Sequence, residues 1–225
     1  MKKLKKKLKQ ILILLKLKKK VIKQFDSKNY WEKRYINKGN SGTGSYGRLA
    51  KFKADIINDF VYSEGINKII ELGSGDGNQL CLAKYNDYIG LDVSEKAIKL
   101  CKSLFKDDST KSFFRYEDLI KYNFEAELTL SLDVIFHLVE DEVFEEYMNN
   151  LFTLSTKYVI IYSSNYDKLI AQHVRCRKFS SWIDMNMNKN WKLQKIIKNK
   201  FPFDENNQDD TSFSDFYIYK KTLDL

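Results

Sequence analysis

Two acidic residues and the glycine-rich turn between them are the clearest candidates for chemistry in this sequence. Glu71 ends an apolar run and precedes Gly73, Gly75 and Gly77, and Asp92 ends the next apolar run, 21 residues after Glu71. Glycines at a strand-to-helix turn let the backbone approach a ligand closely. An acid before such a turn repels a pyrophosphate but attracts an ammonium or sulfonium group. The pattern predicts a site for a cationic nucleoside whose ribose hydroxyls bind Asp92.

The same turn argues against a nicotinamide cofactor. The dinucleotide fingerprint GxGxxG requires a further glycine at position 78, where this chain has Asn78. A plainer interpretation stays open, in which the glycines serve only the packing of the following helix and Asp92 is a surface acid.

Asp133 and His137 form a second candidate group. They follow an apolar stretch that ends at about Leu132, and they stand four residues apart, which places them on one face if the turn continues as a helix. In one interpretation His137 is a general base or a substrate ligand oriented by Asp133. In the other, His137 is a packed histidine that follows a capping aspartate. The only other histidine is His173, and no HxxxH or HxH spacing is present, so we predict no metal site.

A third cluster covers residues 172–178 and contains His173, Arg175 and Arg177. Arginine binds phosphate and carboxylate groups through two parallel hydrogen bonds. We therefore predict that these three residues hold a small anionic acceptor, and we add Tyr46 to the substrate-binding candidates. The alternative is a solvated helical face.

The elements that must position these residues alternate along the chain. Strands are predicted at 68–72, 87–91, 112–116, 128–132, 158–163, 191–197 and 215–221, and helices at 28–38, 48–61, after Asn78, after Ser94 and at 142–154. This alternation indicates an α/β fold with a mainly parallel sheet covered on both faces, and with ligands at the carboxyl ends of the strands. The loop at 39–47 has four glycines, so we expect it to be mobile unless a ligand orders it.

Chain length and charge limit the class of protein. With 225 residues, 43% of them hydrophobic, the chain suffices for one domain, which we place at 26–225. Residues 1–25 contain 11 lysines and no acid, whereas residues 26–225 carry 28 basic and 30 acidic residues. This balance argues against a nucleic-acid partner. Three cysteines without CxxC spacing are typical of a reducing cytoplasm.

Residues 1–25 are predicted to form a basic amphipathic helix or tail. The longest apolar run, Ile11–Leu15, is too short for a membrane span or a signal peptide core. Three interpretations stay open, namely a helix on an anionic membrane surface, a short coiled-coil seam for self-association, and a solvated tail. The apolar positions recur every three or four residues with one interruption, and they are Leu4, Leu8, Ile11, Leu15, Ile22 and Phe25.

The glycine turn and the second acid resemble a known family. The segments ELGSGDGN at 71–78 and YIGLDVSEKAI at 88–98 are similar to the class I S-adenosylmethionine-dependent methyltransferases, and the similarity extends over about residues 65–165. The resemblance implies a Rossmann-like seven-stranded sheet and S-adenosylmethionine as the cofactor, with Glu117, Asp118 and Leu119 near the adenine. The cofactor-binding residues that it implies are Glu71, Gly73, Ser74, Gly75, Gly77, Asp92, Val93, Asp118, Leu119 and Leu132.

A finer resemblance concerns the acceptor. Residues 133–148 together with 173–179 are similar to methyltransferases of bacterial surface-polysaccharide pathways, including those linked to capsule phosphoramidate groups. This similarity implies O-methylation of a small phosphorylated, phosphoramidate or nucleotide-linked precursor. A neutral sugar hydroxyl or another small molecule is the alternative acceptor. An alternative of another class is a non-catalytic, membrane-associated scaffold that works through residues 1–25.

The segment at 30–47 is similar to the lid-forming start of small-molecule methyltransferases. Trp31 and Tyr35 lie at helical spacing within it, so packing of both against the core is an equal alternative. The expected location is the cytoplasm, with peripheral contact at the inner membrane face if residues 1–25 bind lipid.

Overall fold

The computed structural model describes residues 25–222 of the chain, and these residues form an α/β structure. Its strands are β1 (Lys68–Leu72), β2 (Asp87–Asp92), β3 (Lys111–Arg115), β4 (Ala126–Leu132), β5 (Ser155–Ser163), β6 (Lys168–Ala171), β7 (Val174–Cys176), β8 (Trp191–Ile197) and β9 (Asp215–Lys221). Its α-helices are α1 (Ser27–Ile36), α2 (Gly47–Ser63), α3 (Glu95–Leu104), α4 (Asp141–Thr153) and α5 (Phe179–Asn186).

The main sheet has seven strands in the order β3-β2-β1-β4-β5-β9-β8. Strands β1 to β5 run parallel, and β9 and β8 add an antiparallel pair at one edge. The register of β1 and β2 pairs Leu72 with Leu91, so Glu71 and Asp92 lie at the same end of adjacent strands. The predicted fold class and mainly parallel, seven-stranded sheet are confirmed.

Apolar side chains cover both faces of this sheet, as expected for parallel strands. Neighbouring residues of β1 point to opposite faces, and Ile69 packs in a cluster with Ile57 of α2, whereas Ile70 packs in a second cluster with Met148 of α4. Ser94 caps α3 by accepting the backbone N–H of Ala97, as its position in the sequence predicts. The two clusters thus pack against opposite faces of the sheet.

The prediction of a helix after Asn78 is wrong, because the structure has only a four-residue 3-10 turn there, Gln79–Leu82. Nine residues, 78–86, connect the glycine turn to β2. The connection must return over about 17 Å, the length of a five-residue strand. At about 1.5 Å per residue an α-helix would need about eleven residues for that distance. The short connection therefore excludes a crossover helix.

The other predicted elements are present, with β1, β8 and β9 matching residue for residue and the remaining ends shifted by at most three residues. The hairpin of β6 and β7 and helix α5, which follow β5, were not predicted from the sequence. Of the basic segment predicted at 1–25, only Phe25 lies within the described residues. No helix within residues 25–222 is long and apolar enough to cross a bilayer.

Candidate functional site

A cavity of about 360 Å³ lies at the carboxyl ends of β1, β2 and β4. This volume falls within the range of about 300–1,000 Å³ that is usual for small-molecule sites. Three of the predicted cofactor residues, Gly77, Asp118 and Leu119, do not line it, and Asp118 instead accepts the backbone N–H of Arg115 and pairs with Lys121. Glu117, expected near the adenine with Asp118 and Leu119, does line it, and so do the predicted cofactor residues Glu71, Gly73, Ser74, Gly75, Asp92, Val93 and Leu132.

Asp92 fixes the glycine turn to the tip of β2. Its Oδ2 accepts the backbone N–H of Gly75 at 2.9 Å, and its Oδ1 accepts that of Ser94 at 2.8 Å. Each carboxylate oxygen has a second lone pair, so the group can accept two further hydrogen bonds from a ligand. Burial raises the pKa of Asp92 to about 6, although both backbone N–H groups favour the ionised form.

Glu71 lies beside Asp92 at the end of β1 and is also buried. Its Oε2 accepts a hydrogen bond of 2.7 Å from the hydroxyl of Tyr88. Burial raises the pKa of Glu71 to about 7, and the Tyr88 hydroxyl and the charge of Lys53 oppose this shift. A positively charged ligand would favour the ionised carboxylate, so Glu71 is suited to bind one.

The glycine turn lines the cavity and requires glycine for its backbone and its close packing. Gly73 and Gly75 have φ values of 92° and 58°, in the left-handed region that disfavours other residues. A Cβ on Gly75 would collide with Ser41 Oγ, and one on Gly73 would collide with Val134. Ser74 Oγ is buried and has no hydrogen-bond partner among residues 25–222. The turn thus forms part of the cavity wall through its backbone, with the Ser74 hydroxyl buried.

The glycine-rich segment at 39–47 is bound to this turn through Asp76. The Asp76 carboxylate accepts the Ser41 N–H at 2.9 Å and the Tyr46 hydroxyl at 2.8 Å, and Asp76 N–H donates to Ser41 Oγ at 2.9 Å. Tyr46 does not line the cavity. Burial, followed by the bond to Asp76, raises the pKa of Tyr46 to about 12, so it stays a protonated donor. Tyr46 therefore holds the segment in place rather than facing a substrate.

Helix α1 covers the cavity. Its first N–H, from Ser27, donates to Glu140 Oε1 at 2.8 Å, and Lys28 pairs with Glu117 at 2.8 Å. Trp31 and Tyr35 both line the cavity, and Tyr35 is 3% exposed. The two interpretations of this segment are thus compatible, because the aromatic residues pack tightly and also form the cavity wall.

A buried ion pair, which sequence reasoning missed, forms part of the cavity wall. Lys53 of α2 is fully buried, and its Nζ lies 2.7 Å from Asp133 Oδ2, while Ser214 donates to Asp133 Oδ1 at 3.0 Å. The sequence does contain a signal for it, since Lys53 interrupts the apolar stripe of Leu49 and Ile57 at helical spacing. Burying a lysine requires a partner of opposite charge.

The ion pair changes the predicted relation between Asp133 and His137. Asp133 adopts a left-handed φ of 59°, and the turn that follows is a short 3-10 turn, Ile135–His137, rather than a helix. The Asp133 carboxylate binds Lys53 and Ser214, and it does not hydrogen-bond to His137. The expected orientation of His137 by Asp133 is therefore wrong in this structure.

His137 is instead oriented by a backbone carbonyl. Its Nδ1 lies 3.0 Å from the carbonyl oxygen of His173. A carbonyl only accepts hydrogen bonds, so Nδ1 carries the proton and Nε2 keeps a free lone pair. His137 lines the cavity, and burial lowers its pKa to about 4. The ring is therefore neutral at pH 7 and can accept a proton at Nε2.

Arg175 and Arg177 lie outside the cavity wall. The guanidinium of Arg177, a residue only 8% exposed, donates to the carbonyls of Leu138 and Val139 and lies 2.6 Å from Asp141 Oδ1. Arg175 binds the same Val139 carbonyl and the same carboxylate, each at 3.0 Å. These positions give no support to the predicted grip on an anionic acceptor.

His173, the third member of that predicted grip, also lies outside the cavity wall. Its ring stacks on Tyr30 with the centroids 4.8 Å apart. Within the described part of the chain, no group of three His, Cys, Asp or Glu side chains is placed to bind a metal ion.

Solved structures share the fold of this chain, although their sequences are distant. Magnesium protoporphyrin IX methyltransferase (ChlM) from Synechocystis PCC 6803 matches with a TM-score of 0.64 and 13% identity, over 87% of this chain and 98% of that one. The chain has the class I methyltransferase fold. N-methyltransferase NodS from Bradyrhizobium japonicum WM9 matches with a TM-score of 0.57 and 12% identity, over 78% and 88%.

A third structure with the methyltransferase fold is an S-adenosylmethionine-dependent methyltransferase from Clostridium acetobutylicum ATCC 824. It matches with a TM-score of 0.56 and 11% identity, over 74% of this chain and 89% of that one. No family model matches the sequence. No curated protein sequence matches it either. Identities of 11–13% establish the shared fold and leave the activity to the chemistry of the cavity.

Proposed function

We propose that this chain is an S-adenosylmethionine-dependent methyltransferase with a small-molecule acceptor. The observation that carries the proposal is the pair of buried carboxylates, Glu71 and Asp92, which face one cavity from adjacent strand tips beside the glycine turn. Support comes from proteins of the same fold that were solved with S-adenosylmethionine or S-adenosylhomocysteine bound.

The residues of the cavity fit this cofactor. Asp92 has lone pairs for two ribose hydroxyls, and Glu71 favours the positive charge of the methionine portion. Gly73 and Gly75 line the cavity and place the backbone of the turn along its wall, with Ser74 between them. When bound, S-adenosylmethionine supplies a methyl group on a positively charged sulfur, which a nucleophile displaces directly.

The remaining wall of the cavity suits an acceptor hydroxyl. His137 presents the free lone pair of Nε2, which can take the proton that a hydroxyl loses as it is methylated. Trp31 and Tyr35 line the same wall with their aromatic rings. Lys53 and Asp133 neutralise each other, so they add no net charge there. We assign His137 as the base and the aromatic residues as the cover.

Charge in the cavity favours an uncharged acceptor over an anionic one. A phosphate would face repulsion, because eight carboxylates and only two lysines line the cavity, and Arg175 and Arg177 are engaged elsewhere. We therefore propose a neutral hydroxyl, and the phosphorylated or phosphoramidate precursor of surface polysaccharides stays a prediction from sequence resemblance. The carboxylates are those of Asp26, Glu71, Asp76, Asp92, Glu117, Asp133, Glu140 and Glu146.

The membrane and scaffold hypotheses concern residues 1–25, nearly all outside the described residues. Attachment to an anionic membrane through this segment stays a prediction, as does a coiled coil. A non-catalytic scaffold would keep the fold without any turnover, so it differs from the proposed enzyme in a measurable way.

Calorimetry with S-adenosylhomocysteine tests the cofactor assignment, and we expect binding in the micromolar range. Methyl transfer from radiolabelled S-adenosylmethionine to two matched acceptor sets, neutral glycosides and the corresponding sugar phosphates, tests the acceptor. We expect transfer to the neutral set. No binding at millimolar ligand would refute the cofactor assignment, and binding without transfer to either set would favour the scaffold.

Affinity for S-adenosylhomocysteine is expected to fall about tenfold from pH 8 to pH 6. Glu71, whose pKa is about 7, is ionised at pH 8 and mostly protonated at pH 6, so a ligand with a charged amino group binds better at the higher pH. Calorimetry at pH 6, 7 and 8 measures this dependence. Glu71→Gln should bind weakly at every pH and flatten the curve, and a flat curve for the wild type would contradict the role of Glu71.

A further inference from the structure

We infer that the hairpin of β6 and β7 is a positioning element that holds His137 in its base-competent form, with Arg175 and Arg177 as the clamp. The catalytic meaning of this inference rests on the proposed function, in which His137 is the base. The geometric part stands on contacts within the described residues. It assigns a role to the two arginines that the cavity does not use.

The tip of the hairpin selects the tautomer of His137. Residues 172 and 173 form the turn between β6 and β7, and the His173 carbonyl lies 3.0 Å from His137 Nδ1. This contact requires a proton on Nδ1, whereas a free histidine in water favours the proton on Nε2. If the hairpin were displaced, the ring would return to the tautomer that it prefers in water, with the proton on Nε2. Nε2 would then donate a hydrogen bond and could not accept a proton.

The two arginines join the hairpin to the turn that carries His137. Arg175 lies within β7 and Arg177 directly follows it, and both extend to the residues after His137. Arg177 binds the Leu138 carbonyl at 3.2 Å and the Val139 carbonyl at 2.8 Å, and Arg175 binds the Val139 carbonyl at 3.0 Å. Both also reach Asp141, the first residue of α4. The donor and acceptor sides of the His137–His173 contact are thus held at a fixed separation.

Within the clamp, the Arg177 side chain is buried and each of its three guanidinium nitrogens has a partner. The guanidinium of Arg177 lies 4.7 Å above the ring of Phe144, besides its two carbonyls and the carboxylate of Asp141. A buried guanidinium is tolerated when its donors are paired, and its planar set of donors then fixes the geometry of everything that it binds. This arrangement favours a single position of the hairpin.

The surroundings of His137 keep its ring neutral. Trp31 contacts it edge-on at 4.8 Å between centroids, and the His173 ring lies parallel to it at 6.0 Å. The charged or titratable groups that face it are Asp133 from the end of β4, Arg34 from α1 and His173 from the hairpin. Arg34 and burial disfavour the imidazolium, while Asp133 favours it, and burial is the largest effect.

Nitrogen-15 NMR of the histidine rings tests the inference without any acceptor. The chain has only two histidines, so the ring signals can be assigned with a His173→Gln variant. In the wild type we expect His137 to be neutral, with its proton on Nδ1, at pH 7. In Arg175→Ala/Arg177→Lys we expect at least a third of His137 to carry the proton on Nε2. Lys178→Ala, which removes an exposed basic side chain from the same cluster, should leave the spectrum unchanged.

Two results would overturn the inference. One is a wild-type His137 with its proton on Nε2, and the other is an unchanged tautomer in clamp variants whose circular dichroism shows an intact fold. Arg175→Ala alone, at the more exposed arginine, keeps the test valid if the double variant does not fold. Calorimetry with S-adenosylhomocysteine on the same samples separates this test from the cofactor assignment, because the clamp residues do not line the cavity and binding should change less than threefold.

Turnover measurements distinguish a positioning role of the clamp from a purely structural one. With an acceptor from the screen, Arg175→Ala should lower kcat about tenfold, leave the KM for S-adenosylmethionine within about twofold, and shift the pH profile of kcat. Arg175→Lys should restore part of kcat, because a lysine still reaches one carbonyl. Equal losses in kcat and in cofactor affinity would instead indicate general damage and overturn the positioning role.

Discussion

Asp92→Ala is expected to weaken the binding of S-adenosylhomocysteine at least 100-fold, or about 2.8 kcal/mol. The substitution removes the acceptor for two ribose hydroxyls and also releases the backbone N–H groups of Gly75 and Ser94. Hydrogen bonds to a charged group contribute about 1.5–3 kcal/mol each, so the loss of two to a ligand gives an effect of this size. Isothermal calorimetry at pH 8, where the carboxylate is ionised, measures the change.

Two matched variants serve as controls for this result. Asp92→Asn keeps the size of the side chain and one acceptor oxygen, so it should lose less affinity than Asp92→Ala while still binding more weakly than the wild type. Asp59→Asn removes an exposed carboxylate of α2 away from the cavity and should leave affinity unchanged. Wild-type affinity in a folded Asp92→Ala protein would show that the ribose does not bind at β2.

Lys53→Met is expected to lower the free energy of unfolding by about 3 kcal/mol, since removal of one partner of a buried ion pair costs about 3–5 kcal/mol. The lower end applies because Asp133 keeps 17% of its side chain exposed to solvent. For a chain of this size the loss corresponds to a Tm about 6–12 °C lower. Urea unfolding followed by circular dichroism, together with a thermal melt, measures both quantities.

The double variant Lys53→Met/Asp133→Asn separates the charge effect from packing. Asparagine tolerates the left-handed φ of position 133 and removes the unpaired charge, so the double variant should recover more than half of the lost stability. Asp133→Asn alone should also destabilise the protein, because it leaves the ammonium of Lys53 buried without its counter-charge. Additive losses in the double variant would contradict a coupled pair.

Much of the fold follows from local pattern. Strands β8 and β9 match their predicted ranges because each combines a period-two or apolar run with clear polar borders. The helix after Asn78 was predicted wrongly because its short connection to β2, and not its local pattern, decides the outcome. The hairpin of β6 and β7 was missed because its strands have only four and three residues and β6 exposes most of its side chains.

The sequence by itself determined where the main candidate residues for ligand binding lie. Glu71, Asp92 and the glycines between them are fixed by spacing, because each acid ends a strand and parallel strands end at the same edge of a sheet. His137 was found in the same way, since it closely follows the end of β4. These predictions depend only on neighbours along the chain and on one rule of sheet topology.

Only the tertiary structure decided what each polar group binds. Lys53 and Asp133 are 80 residues apart in sequence, and the partners of Arg177 lie up to 39 residues away. Such contacts depend on how helices pack on the sheet, and burial then makes an exact partner energetically necessary, because an unpaired charge in the interior costs several kcal/mol. The type of the residue indicates that each arginine needs an anion or a carbonyl as its partner. In the folded chain these partners are the Leu138 and Val139 carbonyls and Asp141, and not a substrate.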